Sequence, residues 1–144
     1  MRQNQNGVSY DLARGVTLAI AKPPFTVERL KAILNHFEYY RLTDKICLEK
    51  IKQYENKDDM QYYVAFCKNH IKTNAERRNN VLRLFDYCET DFDRELLKRR
   101  FIDRQVYFDI AYDLAYSDRS IFKKLKKALE CLSENTKDIQ EFEF

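Results

Sequence analysis

Glycine and proline are nearly absent from this chain of 144 residues, which contains two of each. The tight turns of a β-rich fold depend on these residues, because glycine reaches positive φ angles and proline presets the bend. Apolar residues elsewhere recur at the 3.6-residue period of an amphipathic α-helix. The sequence therefore predicts an all-α protein, a small helical bundle that forms one domain or has a smaller unit attached to it.

Two regions precede residue 91. Residues 1–25 are predicted to be a mostly irregular segment, in which 10–21 could form a helix or a strand before Pro23 and Pro24 end it. Residues 26–90 are predicted to be helical, with Thr26 as the first N-cap. The predicted helices are one with apolar positions from Val27 to Phe37, one over 44–54 with Cys47, Leu48 and Ile51 inward, one or two over 60–88, and one over 92–102.

Residues 106–132 have the pattern of a helix-turn-helix. The apolar positions are Val106, Ile110, Ala111 and Leu114 in its first helix, and Ile121, Leu125, Ala128, Leu129 and Leu132 in its second. Between them, Ser117 is the expected N-cap and should accept from the amide of Arg119 or Ser120. Tyr116 and Ile121 are expected to form a hydrophobic staple that fixes the entry of the second helix.

The second helix of this motif has a cationic side opposite its apolar side. Residues 119–127 include five cations and no anion, namely Arg119, Lys123, Lys124, Lys126 and Lys127. An ordinary solvated face would interleave glutamate with lysine at i,i+4. Residues 94–132 contain ten cations and six anions, whereas 133–144 form an acidic tail that we expect to be frayed. This localised charge predicts a nucleic-acid-binding face, although the whole chain has a net charge of only +3.

The same residues resemble a known family. The matching positions are Asp109, Ile110, Ala111, Leu114, Ser117 and Arg119, then 126–129 and Leu132. This pattern is similar to the promoter-reading helix-turn-helix at the C-terminal end of bacterial sigma factors. The chain resembles more closely the small sigma-like regulators of phages and prophages, the ArpU/RinA type, in its size, its charged helix at 94–101 and its Ser-Asp-Arg start of the recognition helix. The resemblance extends over about 91–132, and Tyr116 departs from the valine or isoleucine usual in the turn.

The resemblance implies a sequence-specific DNA-binding transcriptional regulator, an activator of phage late genes that works with host RNA polymerase. It would act on double-stranded DNA in the bacterial cytoplasm, at the nucleoid, with its recognition helix in the major groove. The expected base-reading residues are Arg119, Ser120, Phe122, Lys123 and Lys126, and the expected contacts to the DNA backbone are Lys98, Arg99, Arg100, Arg104 and Lys127. Residues 26–90 would provide either a homodimer interface or the polymerase contact.

No pattern in the sequence points to catalysis, a cofactor or a metal. Glycine-rich phosphate loops and nucleophile elbows are missing, and the four cysteines are scattered without a C-x-x-C pair. Cys67 and His70 are spaced i,i+3 but lack a second pair of ligands. The apolar run 16–21 is too short to span a bilayer. We therefore expect a cytoplasmic protein with reduced cysteines that is not an enzyme and binds no cofactor, metal or membrane.

Three other functions fit the pattern. A phage DNA-packaging recognition subunit also contains a helix-turn-helix but forms a ring. A sigma-like initiation factor is suggested by aromatic residues at 62–66 followed by Lys68, Lys72, Arg77 and Arg78, which resemble a promoter-opening helix. A helical interaction module would keep the fold without binding DNA. The tyrosine doublets at 39–40 and 62–63 are interpreted as core residues instead of stacking platforms for unpaired bases.

Overall fold

The structure is a computed structural model that describes residues 2–3, 9–10, 25–139 and 144. Its helices are α1 (Val27–Tyr54), α2 (Gln61–Leu84), α3 (Asp91–Leu97), α4 (Tyr107–Leu114) and α5 (Asp118–Thr136). Short 3₁₀ turns occupy Asp58–Met60 and Phe85–Tyr87, and a π-helical segment, Lys98–Ile102, continues α3. Two-residue strands, β1 (Arg2–Gln3) and β2 (Ser9–Tyr10), pair antiparallel. The all-α prediction is confirmed, and the prediction for 10–21 lies almost entirely outside the described residues.

α1 is a single helix of 28 residues. Thr26 caps it as predicted, accepting a hydrogen bond from the amide of Arg29 at 3.1 Å. The prediction of a separate helix over 44–54 is wrong, because no glycine or proline interrupts the chain there and the Thr43 hydroxyl bonds back to the carbonyl of Tyr39 at 2.9 Å. Leu48, predicted to point inward, is 58% exposed.

α2 is also one continuous helix, and it packs against α1 as an antiparallel hairpin. A buried polar network holds the middle of this hairpin together. The amide nitrogen of Asn74 donates to the carboxylate of Asp44 at 2.8 Å and to the hydroxyl of Thr43 at 2.9 Å. Arg78 forms an ion pair with the other carboxylate oxygen of Asp44. Asp44 and Asn74 therefore satisfy each other across the two helices, which fixes the register of the hairpin.

One hydrophobic core joins the base of the hairpin to α3, α4 and α5. Its fully buried members include Leu30, Ile33 and Leu34 of α1, Leu84 of α2, Leu96 and Leu97 of α3, Ile110 of α4, and Ile121 and Leu132 of α5. None of its described members lies between residues 41 and 80. The outer half of the hairpin therefore extends beyond the main core. Among the described helices, none combines the length and the apolar composition that crossing a membrane requires.

The acidic tail begins inside this core. α5 continues to Thr136, which is fully buried, and the Ser133 hydroxyl donates to the carbonyl oxygen of Phe25 at 2.5 Å. The ring of Phe144 packs edge-on against that of Phe25, with centroids 5.8 Å apart. The expectation of fraying is therefore wrong for residues 133–136, which continue α5, and for Phe144, because the side chains of Ser133, Thr136 and Phe144 are buried in the core.

Candidate nucleic-acid interface

The turn between α4 and α5 has the geometry of a Schellman cap. Ala115 adopts a left-handed backbone with φ 60°, and its amide donates to the carbonyl of Tyr112 at 3.3 Å. The following amide, that of Tyr116, donates to the carbonyl of Ala111 at 2.9 Å. These bonds satisfy the last carbonyls of α4, so the chain can reverse into α5 within a short turn.

The start of α5 agrees with the sequence pattern. Ser117 is the N-cap, and its hydroxyl accepts a hydrogen bond from the amide of Ser120 at 3.1 Å, as predicted. Tyr116, expected to form a staple with Ile121, packs its ring edge-on against Phe92 of α3 at 5.8 Å between centroids. The turn is thus also fixed against the helix that precedes the motif.

The packing side of the motif is confirmed apart from one residue. The five predicted apolar positions of α5 are all buried, as are Ile110 and Ala111 of α4. Val106 is 54% exposed, because it is the N-cap of α4 and not part of its buried side. Ala111 is buried in the core to which both α4 and α5 contribute, and its small side chain suits close packing there.

The opposite side of α5 is exposed and cationic. Arg119, Lys123 and Lys126 lie within about 60° of one another around the helix, and Lys127 is beside them. These four side chains have no hydrogen bond or ion pair to any residue that the structure describes. Lys124, the fifth cation of this stretch, lies over the rings of Phe92 and Tyr116 at 5.8 and 5.1 Å. Four cations of α5 are therefore available to an anionic partner.

Two other base-reading candidates flank this cationic side. Phe122 is half exposed and packs edge-on against Tyr107 of α4, with centroids 5.7 Å apart. Ser120 is half-buried beside the capping residue Ser117. A cleft of about 330 Å³ opens next to Phe122, and Lys126 and Arg100 also line it. The structure thus brings residues of the predicted base-reading and backbone-contacting sets to one surface.

Arg99 differs from the cations of α5 because it already has anionic partners. Its guanidinium donates to Glu95 at 3.0 Å and to Asp113 of α4 at 3.2 Å. Its side chain is only 25% exposed. Lys98 is exposed, with its ammonium 5.7 Å from the centre of the Phe85 ring. A phosphate contact by Arg99 stays a prediction, and such a contact would have to replace two ion pairs.

Arg100 and Arg104 also have partners within the chain. Arg100 donates to the carbonyl oxygen of Gln105 at 3.0 Å, and its guanidinium lies 4.3 Å from the centre of the Tyr107 ring. Arg104 has a left-handed backbone with φ 61° and donates to the side chain of Asn35 in α1 at 3.0 Å. These contacts link the π-helical segment to its neighbours, so both arginines have a structural role beside the predicted one.

Phe108 and Tyr112 are exposed aromatic residues of the motif that were not predicted from the sequence. They are 64% and 80% exposed, on the outer side of α4. Phe108 and Tyr112 are spaced i,i+4 on α4, on a different side from the buried residues Ile110 and Ala111. This spacing is the sequence feature that could have indicated an exposed aromatic pair. The two rings extend the exposed surface of the motif away from the core.

Three of the four cysteines lie outside α5, and the fourth, Cys131, is half-buried on α5 one turn after Lys127. Burial raises the pKa of the Cys88 thiol to about 11, so it is protonated at neutral pH and is a weak nucleophile. Cys47 and Cys67 are buried between α1 and α2, and burial raises the pKa of Cys47. In the part of the chain that the structure describes, no group of three or more His, Cys, Asp or Glu side chains could hold a metal ion.

Comparison with protein-family models, with curated proteins and with solved structures gives no match for this chain.

Proposed function

We propose that this protein is a sequence-specific DNA-binding transcriptional regulator, a phage late-gene activator that acts with host RNA polymerase. The observation that supports DNA binding is the exposed side of α5, where Arg119, Lys123, Lys126 and Lys127 have no partner in the described chain. A buried opposite side and a capped turn hold α5 rigidly. A rigid cationic helix is suited to the major groove of DNA. The regulatory role rests on the resemblance of residues 91–132 to sigma-like phage regulators.

In this proposal, the first turns of α5 read bases. Arg119 is in the first turn and matches the O6 and N7 acceptors of guanine with its guanidinium fork. Phe122 would contact a thymine methyl group, and Lys123 would reach a base or a flanking phosphate. Lys126 and Lys127, one turn later, would bind phosphates and add affinity that does not depend on sequence.

A promoter-opening role for α2 receives less support from the geometry. Tyr62 and Phe66 are exposed on one side of α2, whereas Lys68 and Lys72 lie on the other. Arg78 is bound to Asp44 between the helices. Of the four basic residues, only Arg77 lies on the side of the aromatic rings, so most of the basic residues do not share a surface with them as the resemblance to such a helix would require.

The test is selection of bound sequences from a random duplex DNA library, followed by affinity measurement on the selected and on random DNA. Arg119→Ala should weaken binding to the selected DNA by about 5–150-fold, the equivalent of 1–3 kcal/mol, and should relax preference at one base pair. Arg41→Ala is the matched control, because Arg41 is an exposed arginine on α1 that is distant from α5 in the sequence. No enrichment of any sequence, with equal affinity for every duplex, would refute sequence-specific binding.

A further inference from the structure

The cleft of about 330 Å³ beside Phe122 lies between α1 and α5. Its buried lining residues include Phe101, Leu125 and Leu129, and the partly exposed rings of Tyr107 and Phe122 also line it. We call it the α1–α5 cleft. Ligand sites in proteins usually have volumes of about 300–1,000 Å³ and a mainly apolar lining with a few polar groups. The α1–α5 cleft therefore has the size and the lining of a site for one small molecule.

The aromatic rings of the cleft are held in place by contacts with each other and with Arg100. The ring of Phe122 packs edge-on against that of Tyr107, with centroids 5.7 Å apart. The guanidinium of Arg100 lies 4.3 Å from the centre of the Tyr107 ring and donates to the carbonyl oxygen of Gln105. The other N–H groups of Arg100 have no partner in the described part of the chain. Side chains that are already fixed in place lose less freedom when a ligand binds.

Two hydrogen bonds fix how the elements around the cleft lie along α1. The Ser133 hydroxyl donates to the carbonyl oxygen of Phe25, which places the last turns of α5 beside the start of α1. The Arg104 side chain donates to that of Asn35, which places the π-helical segment farther along α1. The cleft is lined by residues of α5 that precede Ser133 and by residues of α1 that follow Phe25. The two helices therefore run in opposite directions along the cleft.

The charged residues of the cleft are separated by sign along its length. By the register of the two helices, Glu28 is level with Glu130, whereas Lys31 is level with Lys126, about one helical turn away. Arg100 lies toward the end of Lys31, because the π-helical segment contacts α1 beyond that lysine. None of the two glutamates and two lysines has a hydrogen bond or ion pair to a residue that the structure describes. The cleft therefore has an acidic end, with Glu28 and Glu130, and a cationic end, with Lys31, Arg100 and Lys126.

We propose that the α1–α5 cleft binds a small aromatic molecule that carries one anionic group, such as an aryl carboxylate. The rings of the ligand pack against Tyr107 and Phe122, which lie toward the cationic end because Phe122 precedes Lys126 by one turn. The anionic group accepts charge-assisted hydrogen bonds from Lys31 and Lys126, and Arg100 adds a third positive charge. The two carboxylates at the acidic end oppose a second anionic group. Lys31 is not among the residues predicted to contact DNA, so it distinguishes this site from the DNA-binding side of α5.

Fluorescence titration of the full chain with anilinonaphthalene sulfonate tests this proposal. This probe is an aromatic monoanion that emits strongly in an apolar site, and phenylnaphthylamine is the same molecule without the sulfonate. The wild type should bind one molecule of the sulfonate per chain, with a dissociation constant below about 100 µM. Lys31→Glu reverses a charge at the cationic end and should raise that dissociation constant at least about tenfold. The same variant should change the dissociation constant of the neutral probe by less than about twofold.

Lys45→Glu is the matched control, because Lys45 is an exposed lysine of α1 that lies about 21 Å along the helix from Lys31. It should leave both dissociation constants within about twofold of the wild-type values, since charges at that distance are screened. Far-ultraviolet circular dichroism should show equal helical content for all three proteins. Absence of sulfonate binding, more than one bound molecule per chain, or equal weakening by Lys31→Glu and Lys45→Glu would overturn the proposal. The titration contains no DNA, so its result does not depend on the proposed function.

Discussion

The salt dependence of DNA binding follows directly from the number of unpaired cations on α5. Each phosphate contact releases condensed counterions, so the logarithm of affinity falls with the logarithm of salt concentration by about 0.9 per contact. If three or four of Arg119, Lys123, Lys126 and Lys127 meet phosphates, the slope is about −2.7 to −3.6. Between 50 and 200 mM salt, affinity for random duplex DNA should then fall about 40–150-fold.

Substitution of two of these cations gives the quantitative test. Lys126→Ala together with Lys127→Ala should flatten the slope by about 1.8 units, because two contacts are lost. Both residues are exposed, so the thermal melting temperature should hardly change. The loss of affinity should be nearly equal on selected and random DNA, since phosphates are the same in every sequence. Fluorescence anisotropy with a labelled duplex, titrated at several salt concentrations, measures the salt slope and the loss of affinity.

The control removes two cations that already have partners within the chain. Arg99→Ala with Arg100→Ala deletes the ion pairs of Arg99 with Glu95 and Asp113 and the bond from Arg100 to Gln105. If their partners in the chain hold Arg99 and Arg100 away from phosphates, this pair should lower thermal stability and leave the salt slope within about half a unit of the wild-type value. A slope flattened by about one or two units would show instead that they make the predicted backbone contacts. If the lysine pair changed nothing, the assignment of phosphate binding to α5 would be refuted.

Three further predictions concern the fold. Ala111→Leu should overpack the core to which α4 and α5 contribute and lower the free energy of unfolding by about 1–3 kcal/mol, and Leu125→Ala should lower it by about 2–5 kcal/mol because it leaves a cavity. Urea denaturation measures the free energy of unfolding of both variants, and a decrease below about 0.5 kcal/mol would show that these residues are not in the core. Ala115→Gly should stabilise the protein by about 0.5–1 kcal/mol, because glycine adopts the left-handed conformation of Ala115 without strain, and a destabilised variant would contradict this. Burial, and secondarily the charge of Arg77, lower the pKa of His36 below 6.5, so the stability of the fold should decrease as the pH falls from 6.5 toward the folded-state pKa. Proton NMR titration should find the pKa of His36 below 6.5, and Arg77→Ala should raise it only part of the way to 6.5, because burial is the larger cause.

Features that depend on neighbouring residues were predictable from the sequence alone. The caps at Thr26 and Ser117 form as predicted, because a hydroxyl at an N-cap bonds to an amide only three positions away. The buried and exposed sides of α5 are also as predicted, since its apolar residues follow the helical period closely and its cations occupy the opposite side. The all-α fold follows from the same local rules and from the scarcity of glycine and proline.

The tertiary structure alone decided which polar and apolar residues have partners. Asp44, predicted to begin a helix, lies inside one and is buried, because Asn74 and Arg78, more than 29 positions away, satisfy its carboxylate. Arg99 is paired for a similar reason, since Asp113 reaches it from another helix. Leu48, expected to be inward, is exposed because each helix of a two-helix hairpin contacts only one neighbour there. Helical periodicity indicates which residues share a side, but burial depends on whether a neighbouring element covers that side.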